Sequence, residues 1–345
     1  MADEQPVPPT SGAVVGRCAA LLGALGASVA AWEAAAFLRG RRSVDERWYR
    51  TVAQAADRVE DLGSTRWVEI TPLVEWAAER EDLLTEAGVS YYVRTEERSI
   101  LFDMGDNAAC RFPSPLATNA ALLDVPLQQV DAVFISHAHS DHLGGMEGEK
   151  QRRILLTDGG VHLARSVPAY CPVPLSGTGV TPVVCDQPRV IGPGLASTGA
   201  IPRYLFPEGE LLEHGLVVRV EGHGLVLISG CGHPGLDRFL LRCEQVFGGP
   251  FGAFVGGLHL PVKDSRAKRY GVPLQRLLCT GKPPWLLPSE LDAARAATEL
   301  QSRQVPVVAL SPHDSCDWTL DYFHRLFGEG FHRLTVGRTL RIGSV

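Results

Sequence analysis

Three histidines and a carboxylate fall within six positions near the middle of the chain. His137, His139, Asp141 and His142 follow the apolar run Ala132–Ile135 in the segment VFISHAHSDHLGG. The run is short and rich in β-branched and aromatic residues, which predicts a buried strand. Beyond its end, side chains two positions apart project to the same side, so the first two histidines can bind one ion together. Neutral imidazole and carboxylate are ligands that Zn²⁺ and similar ions prefer, and four donors this close favour two adjacent metal sites.

The residues that follow His139 predict a turn and the start of a helix. Ser140 or Asp141 is placed to cap that helix, and Gly144 and Gly145 let the backbone approach a neighbour closely. A histidine cluster can also consist of surface side chains or of hydrogen-bonded core side chains. The position of this cluster at the end of an apolar strand favours metal binding instead.

The run HAHSDH followed by LGG resembles the signature of the metallo-β-lactamase superfamily. The resemblance implies that His137 and His139 bind a first metal ion, and that Asp141 and His142 bind a second. It also implies an α/β fold of four layers, an αββα sandwich. In that fold two mixed sheets lie face to face with helices outside, and the metals lie at one edge where strand-end loops meet.

Other segments are similar to one branch of this superfamily, the branch that includes dihydropterin-ribofuranosylaminobenzene phosphate synthase, a pterin-pathway enzyme. They are LLTEAGVS at 83–90, ILFDMG at 100–105 and Asn119, together with the histidine run. Asp103 lies at the tip of the predicted strand Ser99–Phe102. An acidic residue there can orient a metal ligand by accepting its second ring N–H, and the alternative is a turn aspartate that caps the next segment.

Two more histidines follow predicted strands far along the chain. His233 comes after the strand Gly224–Ser229 and a Gly-Cys-Gly turn, and GCGHPG is similar to the third metal motif of the branch. The resemblance makes His233 a ligand of the first ion. His313 follows the strand Val305–Leu310, and the resemblance makes it the last ligand of the second ion. The branch typically has HCTG here, whereas this chain has HDSC, although the closing LTVGRTLRIG is again similar.

One departure from the superfamily concerns the ligand between the two metal ions. Many members have a bridging aspartate between the motifs of His233 and His313, but Asp237 falls in a predicted helix and Asp264 in a basic loop. Without a bridging carboxylate, we expect the second ion to be bound weakly or not at all. Among the eight cysteines, Cys231 and Cys316 lie closest in sequence to the suspected ligands.

His259 follows the apolar segment GAFVGGLHL at 252–260, and the branch has a similar GGxHL. We expect His259 to line the pocket as a proton carrier or phosphate contact rather than to bind metal. The following loop, 263–282, is basic. Such a loop is usually a solvated face, but if it folds over the metals it can bind an anionic substrate or act as a lid.

This constellation predicts a hydrolase that uses a metal-activated water, with Asp141 holding the nucleophile and taking its proton. The expected cofactor is one or two Zn²⁺ ions, with Mn²⁺ or Fe²⁺ as alternatives. The resemblance and the basic loop favour a phosphorylated or otherwise anionic small metabolite, a phosphoester or phosphodiester related to pterins. The first alternative is a lactonase or thioesterase. The second is a member that binds metal or ligand without turnover, which the intact HAHSDH run with His233 and His313 disfavours.

Composition limits the partners and the compartment. The chain has 345 residues, 45% of them hydrophobic, so it can bury a substantial core. Its net charge of −6 lacks the basic excess that nucleic acids demand, so we expect no obligatory nucleic-acid partner. Cysteines without CxxC pairing indicate reduced thiols and predict a cytoplasmic location.

The N-terminal 65 residues lie outside the predicted metallo-β-lactamase-fold domain, which spans 66–345. Residues 1–11 are polar and Pro-rich, which predicts disorder. Residues 12–38 are apolar, but their uninterrupted part is shorter than the roughly 20 residues that a membrane crossing needs. Three interpretations stay open: a membrane anchor, a signal-like segment, or a helix packed on the domain or on a partner. Ser43–Leu62 is predicted to form a charged, helical connector.

The predicted domain begins with strands. Trp67–Pro72 and Val89–Arg94 alternate between apolar and polar residues as strands do, and a helix is predicted between them over Glu75–Glu86.

Overall fold

The structure is a computed structural model that describes residues 11–53, 58–266, 268–269, 271–283 and 285–344. The predicted disorder of residues 1–11 lies outside the described residues except at Ser11, which begins a helix.

The strands are short, and in chain order they are β1 (Trp67–Val74), β2 (Ser90–Thr95), β3 (Ser99–Phe102), β4 (Ala132–Phe134), β5 (Arg153–Ile154), β6 (Val167–Cys171), β7 (Ser176–Gly177), β8 (Val180–Val184), β9 (Arg189–Gly192), β10 (Leu195–Ser197), β11 (Ile201–Leu205), β12 (Gly209–Glu213), β13 (Leu216–Val220), β14 (Gly224–Ile228), β15 (Phe251–Gly256), β16 (Lys268–Arg269), β17 (Val272–Pro273), β18 (Val307–Leu310), β19 (Phe331–Arg333) and β20 (Leu340–Gly343). The α-helices are α1 (Ser11–Ala53), α2 (Pro115–Leu122), α3 (Ser140–Leu143), α4 (Met146–Gln151), α5 (Leu236–Val246), α6 (Glu290–Ser302) and α7 (Asp317–Phe327). Short 3₁₀ turns lie at Leu127–Gln129, Thr157–Gly159, Leu274–Arg276 and Gly328–Gly330.

Most of these strands form two mixed sheets. In the described residues each sheet has seven strands, in the orders β20-β1-β2-β3-β4-β6-β8 and β19-β18-β15-β14-β13-β10-β9. The run from β3 through β4 and β6 to β8 is parallel, and so is the run from β14 through β15 and β18 to β19. The other neighbours in both sheets are antiparallel.

Alternating side chains divide the core into layers. On β4, Ala132 and Phe134 pack between the two sheets, whereas Val133 faces the helix-covered side of the first sheet. On β14, Val226 faces the inter-sheet core, whereas Leu225 faces α5, α6 and α7. Because successive residues of a strand point to opposite faces, each sheet buries both sides. The predicted αββα sandwich is confirmed.

The predicted helix over Glu75–Glu86 is wrong, because a loop occupies this segment. Asn119 on α2 is fully buried and binds the loop's main chain. Its side-chain oxygen accepts the N–H of Leu84 at 2.8 Å, and its amide nitrogen donates to the carbonyls of Leu73 and Leu84, each at 2.8 Å. The N–H and carbonyl of Leu84, which would form hydrogen bonds within a helix, therefore form them with a side chain distant in sequence.

A single helix, α1, joins the apolar N-terminal stretch to the first part of the charged connector. Its residues Phe37, Val44 and Trp48 are buried, and the ring of Phe37 lies 5.7 Å from that of Tyr204 on β11. Within the described residues, no helix combines the length and apolar character that a membrane crossing requires. The contacts favour the interpretation in which this helix packs on the domain.

Candidate metal centre

The candidate site lies where parallel strands of the two sheets end. Asp103 follows β3 and the histidine run follows β4, while Cys231, His259 and His313 follow β14, β15 and β18. Contacts among these residues bring the carboxyl ends of the five strands to one edge of the sandwich. Parallel strands all end on the same side, so short loops at their ends can present side chains to a common point.

Three of the predicted ligands form one group. The ring centroids of His137 and His139 lie 4.6 Å apart, and the ring of His233 lies 5.0 and 4.9 Å from them. Nε2 of His137 is 3.1 Å from Nδ1 of His139. The structure thus brings together the three residues predicted to bind the first ion.

The residues predicted for the second ion form an adjoining group. Ligand atoms of Asp141, His142 and His313 lie within 4.8 Å of one another, and the thiol of Cys231 lies among them. The sulfur is 3.1 Å from Nε2 of His142 and 3.1 Å from Nε2 of His313. Cys231 also belongs to a group with His137 and His233, so its sulfur adjoins both sets of predicted ligands.

Outer partners fix the orientation of four of the imidazoles. Nδ1 of His137 lies 3.0 Å from Ser136 Oγ, and Nδ1 of His142 lies 2.6 Å from the carboxylate of Asp103. Nδ1 of His233 lies 3.1 Å from the carbonyl of Cys279, and Nδ1 of His313 lies 2.5 Å from Ser311 Oγ. A histidine that uses Nδ1 in this way presents Nε2 to a metal. Asp103, which was expected to orient a ligand, lies at hydrogen-bond distance from Nδ1 of His142.

His139 has the reverse arrangement. Its Nδ1 faces His137, and its Nε2 lies 2.8 Å from the carboxylate of Glu208, in the turn between β11 and β12. Glu208 was not predicted, because it lies 69 residues further along the chain in a Gly- and Pro-rich region without a motif.

Burial determines the protonation of most of the imidazoles. It lowers the pKa of His137 and His233 well below the usual range, and it lowers that of His313 to about 3. These rings are neutral at pH 7, the form that binds metal. Burial also opposes protonation of His142, but the charges of Asp141 and other neighbours outweigh it and raise that pKa.

The donor set fits a divalent metal ion. Nε2 of His233 is buried, points into the first group, and has no hydrogen-bond partner in the part of the chain that the structure describes. A buried polar atom without a partner is costly unless another ligand satisfies it. Imidazole, carboxylate and thiol together suit zinc and other late first-row metals.

Comparison with known families agrees with this geometry. The model of the metallo-β-lactamase superfamily matches residues 84–277, which is more than half of the chain. The chain belongs to the metallo-β-lactamase superfamily. The match includes the HAHSDH run and His233, so these residues occupy the part of the chain that defines the superfamily.

Individual relatives in the superfamily are distant. The chain is 24% identical over 270 residues to 7,8-dihydropterin-6-methyl-4-(β-D-ribofuranosyl)-aminobenzene-5′-phosphate synthase of Methanocaldococcus jannaschii, with 64% of this chain and 89% of that protein covered. Tm1679, a solved metal-dependent hydrolase of the β-lactamase superfamily, has a TM-score of 0.56 and 19% identity, with 80% of this chain and all of that one covered. YhfI of Bacillus subtilis has a TM-score of 0.48 and 15% identity over the same 80% of this chain and all of that one. The Tm1679 structure shows the shared fold.

The altered HDSC segment has a structural role at this site. Asp314 is buried, and its carboxylate accepts the main-chain N–H of His259 at 2.9 Å. His259 has a left-handed backbone, with φ of 47°, and its ring lies 4.7 Å from that of His233. Asp314 therefore helps to hold the predicted pocket histidine beside the first group.

Neither aspartate that was considered for the bridging position belongs to the groups of candidate ligands found among the described residues. Asp264 pairs with Lys268 at the surface. Asp237 lies on α5 and lines the pocket that also contains His233 and His259. Two residues adjoin both groups: Asp141, a predicted ligand, and Cys231, which sequence reasoning noted but did not count as a ligand. The position of Cys231, two residues before the predicted ligand His233, is the sequence feature that could have indicated a ligand.

A pocket of about 550 Å³ opens beside His233 and His259. Its wall includes Arg203 and Arg295, which sequence reasoning did not single out. The basic loop also reaches the site, since Gln275 donates to the carbonyl of His313 at 3.1 Å. Four of the loop's cations are paired with carboxylates, in the pairs Lys263–Glu290, Arg266–Asp317, Lys268–Asp264 and Lys282–Asp292.

Proposed function

We propose that this chain is a metal-dependent hydrolase that cleaves a phosphoester or phosphodiester in a small anionic metabolite. The observation that carries the proposal is the convergence of imidazoles from three distant segments, with Asp141 and Cys231, beside an open pocket. Superfamily membership supports a metal-dependent hydrolytic activity.

In this proposal His137, His139 and His233 hold one ion, and Asp141, His142 and His313 hold the other. Zinc is the metal that we propose, with Mn²⁺ or Fe²⁺ as alternatives. A divalent ion held by these residues would supply an acidified water as the nucleophile and would polarise the oxygen under attack.

Two residues of the chain are proposed to handle protons. Despite burial, the charges of neighbouring imidazoles such as His142 lower the pKa of Asp141, so its carboxylate is ionised and can orient the attacking water and accept its proton. Burial lowers the pKa of His259 to about 4, so its ring is neutral at pH 7 and can accept a proton or a hydrogen bond from the substrate.

The preference for an anionic substrate is supported by Arg203. This side chain lines the pocket next to His233, and its Nε is buried without a hydrogen-bond partner among the described residues. Burial lowers its pKa to about 10, which still leaves it charged at pH 7. A guanidinium whose Nε–H is unused can bind a phosphate or carboxylate of the substrate. The name of the relative from Methanocaldococcus jannaschii contains a 5′-phosphate, which agrees with this substrate class.

The test is hydrolysis of bis-p-nitrophenyl phosphate by protein purified without chelator, beside p-nitrophenyl phosphate, a lactone and a thioester. We expect the phosphodiester or monoester to be cleaved fastest, by protein that contains one or two ions per chain. His139→Ala and Asp141→Asn should each reduce turnover by about 100-fold or more. His162→Ala, at an exposed histidine outside the site, is the control. Unchanged turnover in both site variants would contradict the proposed function, whereas faster cleavage of the lactone or thioester would contradict the substrate class alone.

A further inference from the structure

Cys231 has an unusual environment for a buried cysteine. It is a free thiol with a relative exposure of 4%. Buried cysteines usually pack as small apolar side chains. This sulfur instead lies 3.1 Å from an imidazole nitrogen of His142 and 3.1 Å from one of His313.

Both of these nitrogens are directed at the sulfur by contacts on the far side of their rings. Nδ1 of His142 is hydrogen-bonded to Asp103, and Nδ1 of His313 is hydrogen-bonded to Ser311. The two Nε2 atoms are therefore free to act as ligands, and the sulfur lies between them. Sγ is also within 4.8 Å of ligand atoms of His137 and His233.

The loop around Cys231 leaves its side chain little freedom. The carboxylate of Glu213 accepts the N–H groups of Gly230, Gly232 and His233 at 3.1, 2.9 and 2.8 Å. A Cβ on Gly230 would lie 2.2 Å from Ser136 Oγ, and one on Gly232, where φ is 74°, would lie 2.3 Å from the Gly257 carbonyl. The Gly-Cys-Gly sequence is thus required for this close backbone approach, which fixes the thiol at the boundary between the two groups.

We propose that the thiolate of Cys231 is a ligand shared by the two metal ions, in the role that aspartate has in many superfamily members. This inference rests on the proposed metal-dependent function. On metal binding the S–H bond breaks, the proton leaves to solvent, and sulfur lone pairs form the metal–sulfur bonds without any change of oxidation state. A soft thiolate at this position favours zinc or cobalt over magnesium or manganese.

Cobalt(II) substitution tests the proposal independently of turnover, because thiolate ligation gives an intense sulfur-to-cobalt charge-transfer band in the near ultraviolet. We expect full-length protein loaded with cobalt chloride to bind about two ions per chain and to show this band. Cys231→Ser should lose the band and retain at most one ion. Cys231→Asp should retain two ions without the band. Cys171→Ser is the matched control, since Cys171 is buried and its thiol donates to the Ala169 carbonyl outside the site.

The outcomes separate this inference from the proposed function. Wild-type protein that binds two cobalt ions and cleaves the phosphodiester, but shows no band, would overturn the shared thiolate alone. Persistence of the band in folded Cys231→Ser or Cys231→Asp would do the same. Wild-type protein that shows the band but cleaves none of the test substrates would support the thiolate ligand and overturn the hydrolase. Protein that binds no cobalt would overturn both.

Discussion

The carboxylate of Asp103 lies 2.6 Å from Nδ1 of His142, and both side chains are fully buried. The same carboxylate accepts the main-chain N–H and the hydroxyl of Ser136 at 2.7 and 2.6 Å. Asp103 has a left-handed backbone, with φ of 55°, and its side chain points toward His142. These contacts fix the ring of His142 with Nε2 toward Cys231.

Replacing Asp103 should therefore weaken metal binding. In Asp103→Asn a neutral amide replaces the carboxylate that accepts the Nδ1–H of His142. The ring is then held less firmly, and its Nε2 is a weaker metal ligand. We expect metal affinity to fall about 10- to 100-fold, measured by competition with a chromophoric chelator. Asp186→Asn, at an exposed aspartate, is the control. Equal affinities in the two variants would contradict the orienting role.

The parts of the site that could be predicted depend on local sequence. His137, His139, Asp141 and His142 follow a strand, and their spacing alone places donors on a common side. His233 was identified by a strand-end pattern together with a family resemblance. The structure brings these residues together, along with the similarly predicted His313.

Other features depend on how distant segments pack and could not be predicted. Glu208 reaches His139 only because the β11–β12 turn lies over the strand ends. Cys231 acquires its position between two histidines from the packing of one sheet on the other. The helix predicted over Glu75–Glu86 is absent because tertiary hydrogen bonds to Asn119 override local preference.

Asn119 should be important for stability. Asn119→Ala removes three hydrogen bonds, one of them buried and two partly buried, and leaves the main-chain groups of Leu73 and Leu84 without these partners. We expect the free energy of unfolding to fall by about 2–4 kcal/mol, measured by urea denaturation. Thr118→Ala, at the preceding position of α2, is the control and should change stability by less than about 1 kcal/mol. A loss no larger than the control's would show that the loop does not depend on this side chain.

Glu75 should make stability depend on pH. Burial raises the pKa of this carboxyl from 4.5 to about 8, although Ser311, Trp76 and Tyr91 donate hydrogen bonds to it. Between these two values the folded chain holds one more proton than the unfolded chain, so the free energy of unfolding falls as pH rises.

The corresponding measurement uses urea denaturation of EDTA-treated protein from pH 5 to pH 8. Glu75→Gln is neutral throughout, so its stability should decline less steeply with pH than that of the wild type, by roughly 1 kcal/mol per pH unit. Glu79→Gln, at an exposed position, should retain the wild-type slope. Identical slopes in Glu75→Gln and the wild type would mean that this carboxyl does not take up the proton.

The side chain of Arg203 offers a test of whether the pocket recognises a negatively charged substrate. Its guanidinium packs against Gly281, where an added Cβ would lie 2.2 Å from Nε, and it lines the pocket beside His233. Asp45, one of the nearby carboxylates, is engaged by Arg238. A substrate anion is thus the partner that we propose for Arg203.

Arg203→Gln keeps a polar side chain of similar length but removes the charge. For a phosphate ester we expect KM to rise about 10-fold or more with a smaller change in kcat, because a hydrogen bond to a charged group contributes about 1.5–3 kcal/mol. For a neutral ester such as p-nitrophenyl acetate, KM should stay within about twofold, since no anion is present to bind the guanidinium. Arg325→Gln, on the exposed side of α7, controls for a general loss of positive charge. Equal increases in KM for the charged and neutral substrates would assign Arg203 to the shape of the pocket rather than to recognition of charge.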